Sequence, residues 1–141
     1  MITMLIAALL ALQPAASPVG QRTQTPESLL AGMGLAPDQD DLAAAVAAAA
    51  VHPLGSLANP VRVGGPDGQR AYLARLRCGD GSAPRVGQRG SMGEGAFGTI
   101  VDGNPLDCGT AAPGRTTLVM DIYHEEHRET RAPAGLTLVA E

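Results

Sequence analysis

The chain has 141 residues and a formal net charge of −4, and all ten of its Lys-plus-Arg positions are arginine. With no Trp, one Phe and two Tyr, its core must be built from Leu, Val, Ile and Ala, and will be thin. The acidic balance and the scarcity of rings argue against a nucleic-acid binder, which needs excess positive charge and surfaces on which bases stack.

The chain opens with MITMLIAALLALQPAAS, an apolar run from Met4 to Leu12 that Pro14 breaks and small residues follow. That pattern predicts a secretory signal peptide over residues 1–17; the run is too short for a bilayer span, which takes about 20 apolar residues. Two features depart from the pattern. No Lys or Arg precedes the run, and Pro18 directly follows the small-x-small site at Ala15 and Ser17. The alternative is an N-terminal helix that stays with the fold. No Cys closely follows the run, which argues against a lipid anchor.

Residues 18–37 form a polar lead containing TPESLLAGMG, a short predicted helix with Thr25 as cap, Pro26 at the first position and Gly32 or Gly34 as stop. Residues 38–52 predict an Ala-rich helix: Asp38 caps it, Asp40 and Asp41 sit in its first turn, and Pro53 ends it. Leu42 and Val46 give it only a weak apolar stripe.

From residue 53 to 141 the texture becomes β-rich, with Gly and Pro punctuating short runs. NPVRV predicts a strand and GGPDGQ a turn. AYLARLRC alternates, with Tyr72, Ala74, Leu76 and Cys78 on one face and Arg75 and Arg77 on the other, and so predicts a strand. GTIVDG, LDC, TTLVMDIYH and GLTLVA add further strands. Together these predict an α+β domain: short N-terminal helices, then about five to seven short strands in an antiparallel sheet, sandwich or barrel.

Cys78 and Cys108 are the two cysteines. In an exported chain they predict a disulfide, which closes a loop of about thirty residues and stabilises by roughly 3.5–4 kcal/mol in the chain-entropy model. In a cytosolic chain they would be free thiols. No CxxC or suitably spaced His marks them as metal ligands.

Three other features bear chemistry-capable residues. GEGAFG places Gly93, Gly95 and Gly98 in G-x-G-x-x-G, a glycine-rich loop like that over a kinase's phosphates. Yet the chain has no Lys and no HRD or DFG, and TIVDGNP after it reads as strand and turn. The expectation is a hairpin connection and no nucleotide or other cofactor. DIYHEEHRE clusters Asp121, His124 and His127. On a helix these three would share a face and hold a metal; on a strand the two histidines diverge, leaving loose ion pairs to Arg128 and Arg131 worth under about 1 kcal/mol each. Finally, Arg70, Arg75, Arg77, Arg85 and Arg89 are closely spaced. Arg75 and Arg77, side by side on a strand, are candidates for an anionic ligand such as a sugar acid or lipid headgroup. Ser56, Ser82 and Ser91 lie in no nucleophile motif and predict turn roles.

The strings HPLGSLANPVR, GQRAYLARLRC and MDIYHEEH, spread over residues 52–127, resemble a group of small exported bacterial proteins of unknown function. The resemblance implies export and paired cysteines, and no activity. The expectation is therefore a periplasmic or secreted, disulfide-bonded, non-enzymatic domain that binds a protein or an envelope component. Metal binding and anionic-ligand binding are the alternatives.

Overall fold

The computed structural model describes residues 26–35 and 38–141. The predicted signal peptide, the start of the polar lead and the Thr25 cap lie outside the described residues.

Among the described residues two helices come first, α1 (Pro26–Gly32) and α2 (Gln39–Ala49). Asp38 caps α2 as expected: its Oδ1 accepts from the Asp40 N–H at 2.8 Å, and Asp40 and Asp41 occupy the positive end of the helix. Ala49 is the residue of α2 that becomes buried.

The domain proper follows, with β1 (Val61–Arg62), α3 (Gly65–Arg75), β2 (Leu76–Arg77), β3 (Arg85–Val86), β4 (Gly90–Glu94), β5 (Ile100–Asp107), β6 (Arg115–Asp121) and β7 (Thr137–Leu138). The architecture is α+β. A five-stranded sheet runs in the order β1-β6-β5-β3, with β4 also on β5, and β2 pairs with β7 in a second, two-stranded sheet. The large sheet is mixed rather than antiparallel throughout, because β1 lies parallel to β6.

The main correction to the sequence reading is α3. GGPDGQ and most of AYLARLRC form one helix, not a turn and a strand. Pro66 sits where a missing N–H costs nothing, and Asp67 faces the positive end. The buried residues Gln69, Tyr72 and Leu76 then recur at three- and four-residue spacing. Over so few residues Tyr72, Ala74 and Leu76 also satisfy a period of two. Gln69, a polar residue buried inside the apparent turn, is what distinguishes the two periods.

Tyr72 and Leu73 of α3 meet one face of the sheet. Leu106, Leu118 and Met120 share that face, and Val61, Val63, Leu76 and Leu136 complete the core. The expected bridge is present: Cys78, just after β2, is bonded to Cys108, just after β5, with Cα atoms 5.7 Å apart. It ties the two-stranded sheet to the large one.

The glycine motif spans the end of β4 and its connection to β5. Gly93 and Gly98 take φ of +83° and +78°. A Cβ on Gly95 would overlap the Val101 side chain. Each of these glycines thus answers to a local steric demand, and the segment leads into a strand rather than a helix.

Candidate functional site

After β6 the chain keeps company with β1. Val63 N–H donates to Asp121 O at 2.9 Å, Gly65 N–H to Ile122 O at 2.8 Å and His124 N–H to Val63 O at 3.2 Å. This ladder delivers residues 123–129 to the start of α3. Gly64 permits the approach, because a Cβ there would come within 2.8 Å of Glu125 O.

Between α3 and that segment lies a groove of about 340 Å³. Gly64, Gly68, Ala71 and Arg75 form the helix wall, at the four-, three- and four-residue steps that keep one face of a helix in line. Val63 and Tyr72 form the floor, and Glu125 to Glu129 form the opposite wall, with Glu141 at one end.

A buried polar layer holds the opposite wall. Glu129 is 4% exposed. Its Oε1 accepts from the N–H groups of Thr130 and Arg131 at 3.1 and 3.0 Å, and the Arg131 guanidinium clasps both carboxylate oxygens at 3.0 Å each. Burial pushes the Glu129 carboxyl upward, but the Arg131 and backbone hydrogen bonds outweigh it and hold the group below its ordinary value. The pair is therefore not the loose surface bridge expected from sequence. Tyr72 Oη donates to Arg131 O at 2.7 Å, and burial followed by the Glu129 charge drives the phenol pKa upward. His127 Nε2 lies 3.6 Å from Glu129 Oε2. Burial and then the Arg62 charge lower its pKa, with Glu129 acting against them.

Behind this layer Asp121 is fully buried. It accepts from the Thr99 hydroxyl and from the Tyr123 N–H at 3.1 Å, with His124 Nε2 at 3.2 Å. The His124 ring meets Phe97 edge-on at 5.4 Å, and Arg62 stacks over the same Phe97 at 5.7 Å. Of the three candidate metal ligands, Asp121 and His124 come together, while His127 turns to Glu129. Among the described residues no group of three His, Cys, Asp or Glu side chains is placed to hold a metal ion.

The arginines between 70 and 89 each meet an internal partner. Arg70 pairs with Asp67, Arg85 with Asp107, and Arg89 with Gln69 and Asp102. Arg75 and Arg77 are not strand neighbours. Arg75 ends α3, where its Nε donates to Val139 O at 2.9 Å, and Arg77 turns back on the carbonyls of Ala74 and Leu76 at 2.9 and 2.7 Å. Ser82 donates to Asp80 at 2.6 Å, as a turn residue does, whereas Ser91 lies in β4 rather than in a turn, its hydroxyl accepting from the Gly93 N–H.

Sequence reasoning missed Tyr72, Arg128 and Glu141 as neighbours. The available signal was Gly64, Gly68, Ala71 and Arg75 at helical spacing, which becomes visible only once the segment is taken as a helix. Comparison with protein-family models, with curated proteins and with solved structures returns no match.

Proposed function

We propose that this chain is an exported, disulfide-stapled binding domain that holds a ligand of the cell envelope in the groove between α3 and residues 125–129. The groove carries the reading: one wall is made largely of small residues, the floor offers an aromatic ring, and the far wall is fixed by the buried Glu129 carboxylate, which the exposed Arg131 clasps. The Cys78–Cys108 bond suits an oxidising compartment. No helix among the described residues is long and apolar enough to cross a membrane. A binding role is favoured over catalysis because Asp121, His124 and Thr99 are sealed from solvent and the Ser82 hydroxyl is spent on Asp80.

Two measurements test it. Intact mass of protein from its native host is expected to show loss of the apolar leader and a gain of two hydrogens on reduction; an uncut chain with free thiols sinks the export reading. Binding of envelope-derived small molecules and peptides, followed by NMR, is expected to shift groove residues and to be lost on Ala71→Phe, which fills the groove from an exposed position. Binding untouched by Ala71→Phe sinks the groove reading.

A further inference from the structure

The groove is electrically lopsided. Its Gly64 end carries Glu125 and Glu126; its other end, about 16 Å away along eleven residues of helix, carries Arg75 and Arg128. Those two guanidinium groups come from opposite walls and converge on one carboxylate. Arg75 Nη1 lies 3.6 Å from Glu141 Oε1, and Arg128 Nη1 lies 3.1 Å from Glu141 Oε2. Guanidinium groups meeting a carboxylate from two sides form a geometry that selects planar anions.

The seat itself is preorganised. Arg75 is only 19% exposed, and its Nε is anchored on Val139 O. The occupant is held less firmly. Val139 N–H donates to Arg75 O at 2.9 Å, which fastens the backbone two residues before Glu141. Glu141 itself is 49% exposed and Arg128 73% exposed. Water competes for such contacts, so they contribute little to stability. Glu129, the buried carboxylate beside Arg128 in the same wall, is already satisfied by Arg131.

We propose that Arg75 and Arg128 form the seat for an elongated ligand ending in a carboxylate, and that the Glu141 side chain is an intramolecular stand-in that the ligand displaces. This rests on the groove being the binding site. It also replaces the Arg75/Arg77 pair expected from sequence with Arg75/Arg128. The ligand's far end, against Glu125 and Glu126, is uncharged or cationic.

The test uses the peptide acetyl-Leu-Val-Ala-Glu-amide, whose single carboxylate copies Glu141, with acetyl-Leu-Val-Ala-Gln-amide and inorganic phosphate as comparison probes. Binding is read from the Arg75 and Arg128 side-chain N–H resonances. Removing the stand-in by Glu141→Gln is expected to tighten the Glu peptide about two- to fivefold, the factor by which a weak exposed pair blocks its own site. Adding Arg128→Ala to that variant, or raising the salt, is expected to reverse the gain, and the Gln peptide is expected not to bind. Equal affinity in wild type and Glu141→Gln overturns the stand-in. Tighter binding of phosphate at the same two arginines overturns the carboxylate assignment. Absence of any shift at Arg75 and Arg128, while another ligand still binds in an Ala71→Phe-sensitive way, overturns the seat and leaves the groove reading standing.

Discussion

The two eleven-residue helices, α2 and α3, are held in opposite ways. α2 has what local physical chemistry favours: a capping Asp, acids at its positive end and a run of alanines, the residue with the highest helix propensity. It buries only Ala49. α3 has no side-chain cap and carries Gly65, Pro66 and Gly68, yet it buries Gln69 and Tyr72, and Tyr72 belongs to the core cluster. The helix that is plain in the sequence buries one alanine, and the one that is obscure supplies Tyr72 to the core. Propensity suffices where little is buried, and burial of even two side chains can override a poor local sequence.

Breaking the domain while sparing α2 is the strongest way to test that contrast. Replacing both cysteines by alanine is expected to lower unfolding stability by about 3.5–4 kcal/mol, measured by denaturant titration. The Asp38-capped helix should lose none of its local support. Loss of under about 1 kcal/mol would mean that the thin core suffices without the bridge.

A smaller effect is expected at the groove wall. Glu129→Gln keeps the shape but removes the charge that Arg131 clasps, and should cost about 1–3 kcal/mol in the same assay. A change confined to residues 124–131, with an unaltered midpoint, would show that this wall unfolds separately from the sheet.

The complementary break is Asp38→Ala. It should remove about 1 kcal/mol from α2 alone, seen as faster amide exchange over residues 39–43 with the domain's midpoint unmoved. A matching drop in the domain's midpoint would show that α2 is coupled to the sheet after all.

The smallest expected effect is a pH dependence. Burial and Arg62 make folded His127 a poorer proton acceptor than the same residue in the unfolded chain, whose ordinary value is 6.5. Protonation therefore favours the unfolded chain. The contribution is complete above that value, is lost as pH falls below it, and levels off once the pH is under the folded value. Stability measured from pH 8 to 5 is expected to decline, and His127→Gln is expected to flatten the decline. An unchanged slope in the variant would point to another group.

How much was legible follows the same division. The α+β class, the Asp38 cap and the Cys78–Cys108 pairing rest on local or compositional signals, and each is present. AYLARL was not legible, because Tyr72, Ala74 and Leu76 fit a period of two while Gln69, Tyr72 and Leu76 fit a helix. Only burial of Gln69 separates the two. The parallel pairing of β1 with β6 was hidden because β1 contributes two residues, too few for any pattern. The groove was hidden with α3, since one of its walls is that helix. Of Asp121, His124 and His127, which the sequence groups together, Asp121 and His124 are in contact and His127 faces Glu129. Their partners, Thr99, Phe97 and Arg62, lie more than twenty residues away along the chain, where spacing carries no information.

The bridge between Cys78 and Cys108 encloses β3, β4 and the whole of β5, leaving α3, β6 and β7 outside the ring. Under tension applied between the two ends of the domain, force passes across the sulfur–sulfur bond and bypasses everything within the ring. About 100 Å of contour is thereby withheld from extension. The β4–β5 hairpin with its glycine-rich connection becomes a mechanically sheltered insert, able to vary or deform without lengthening the path that bears the load.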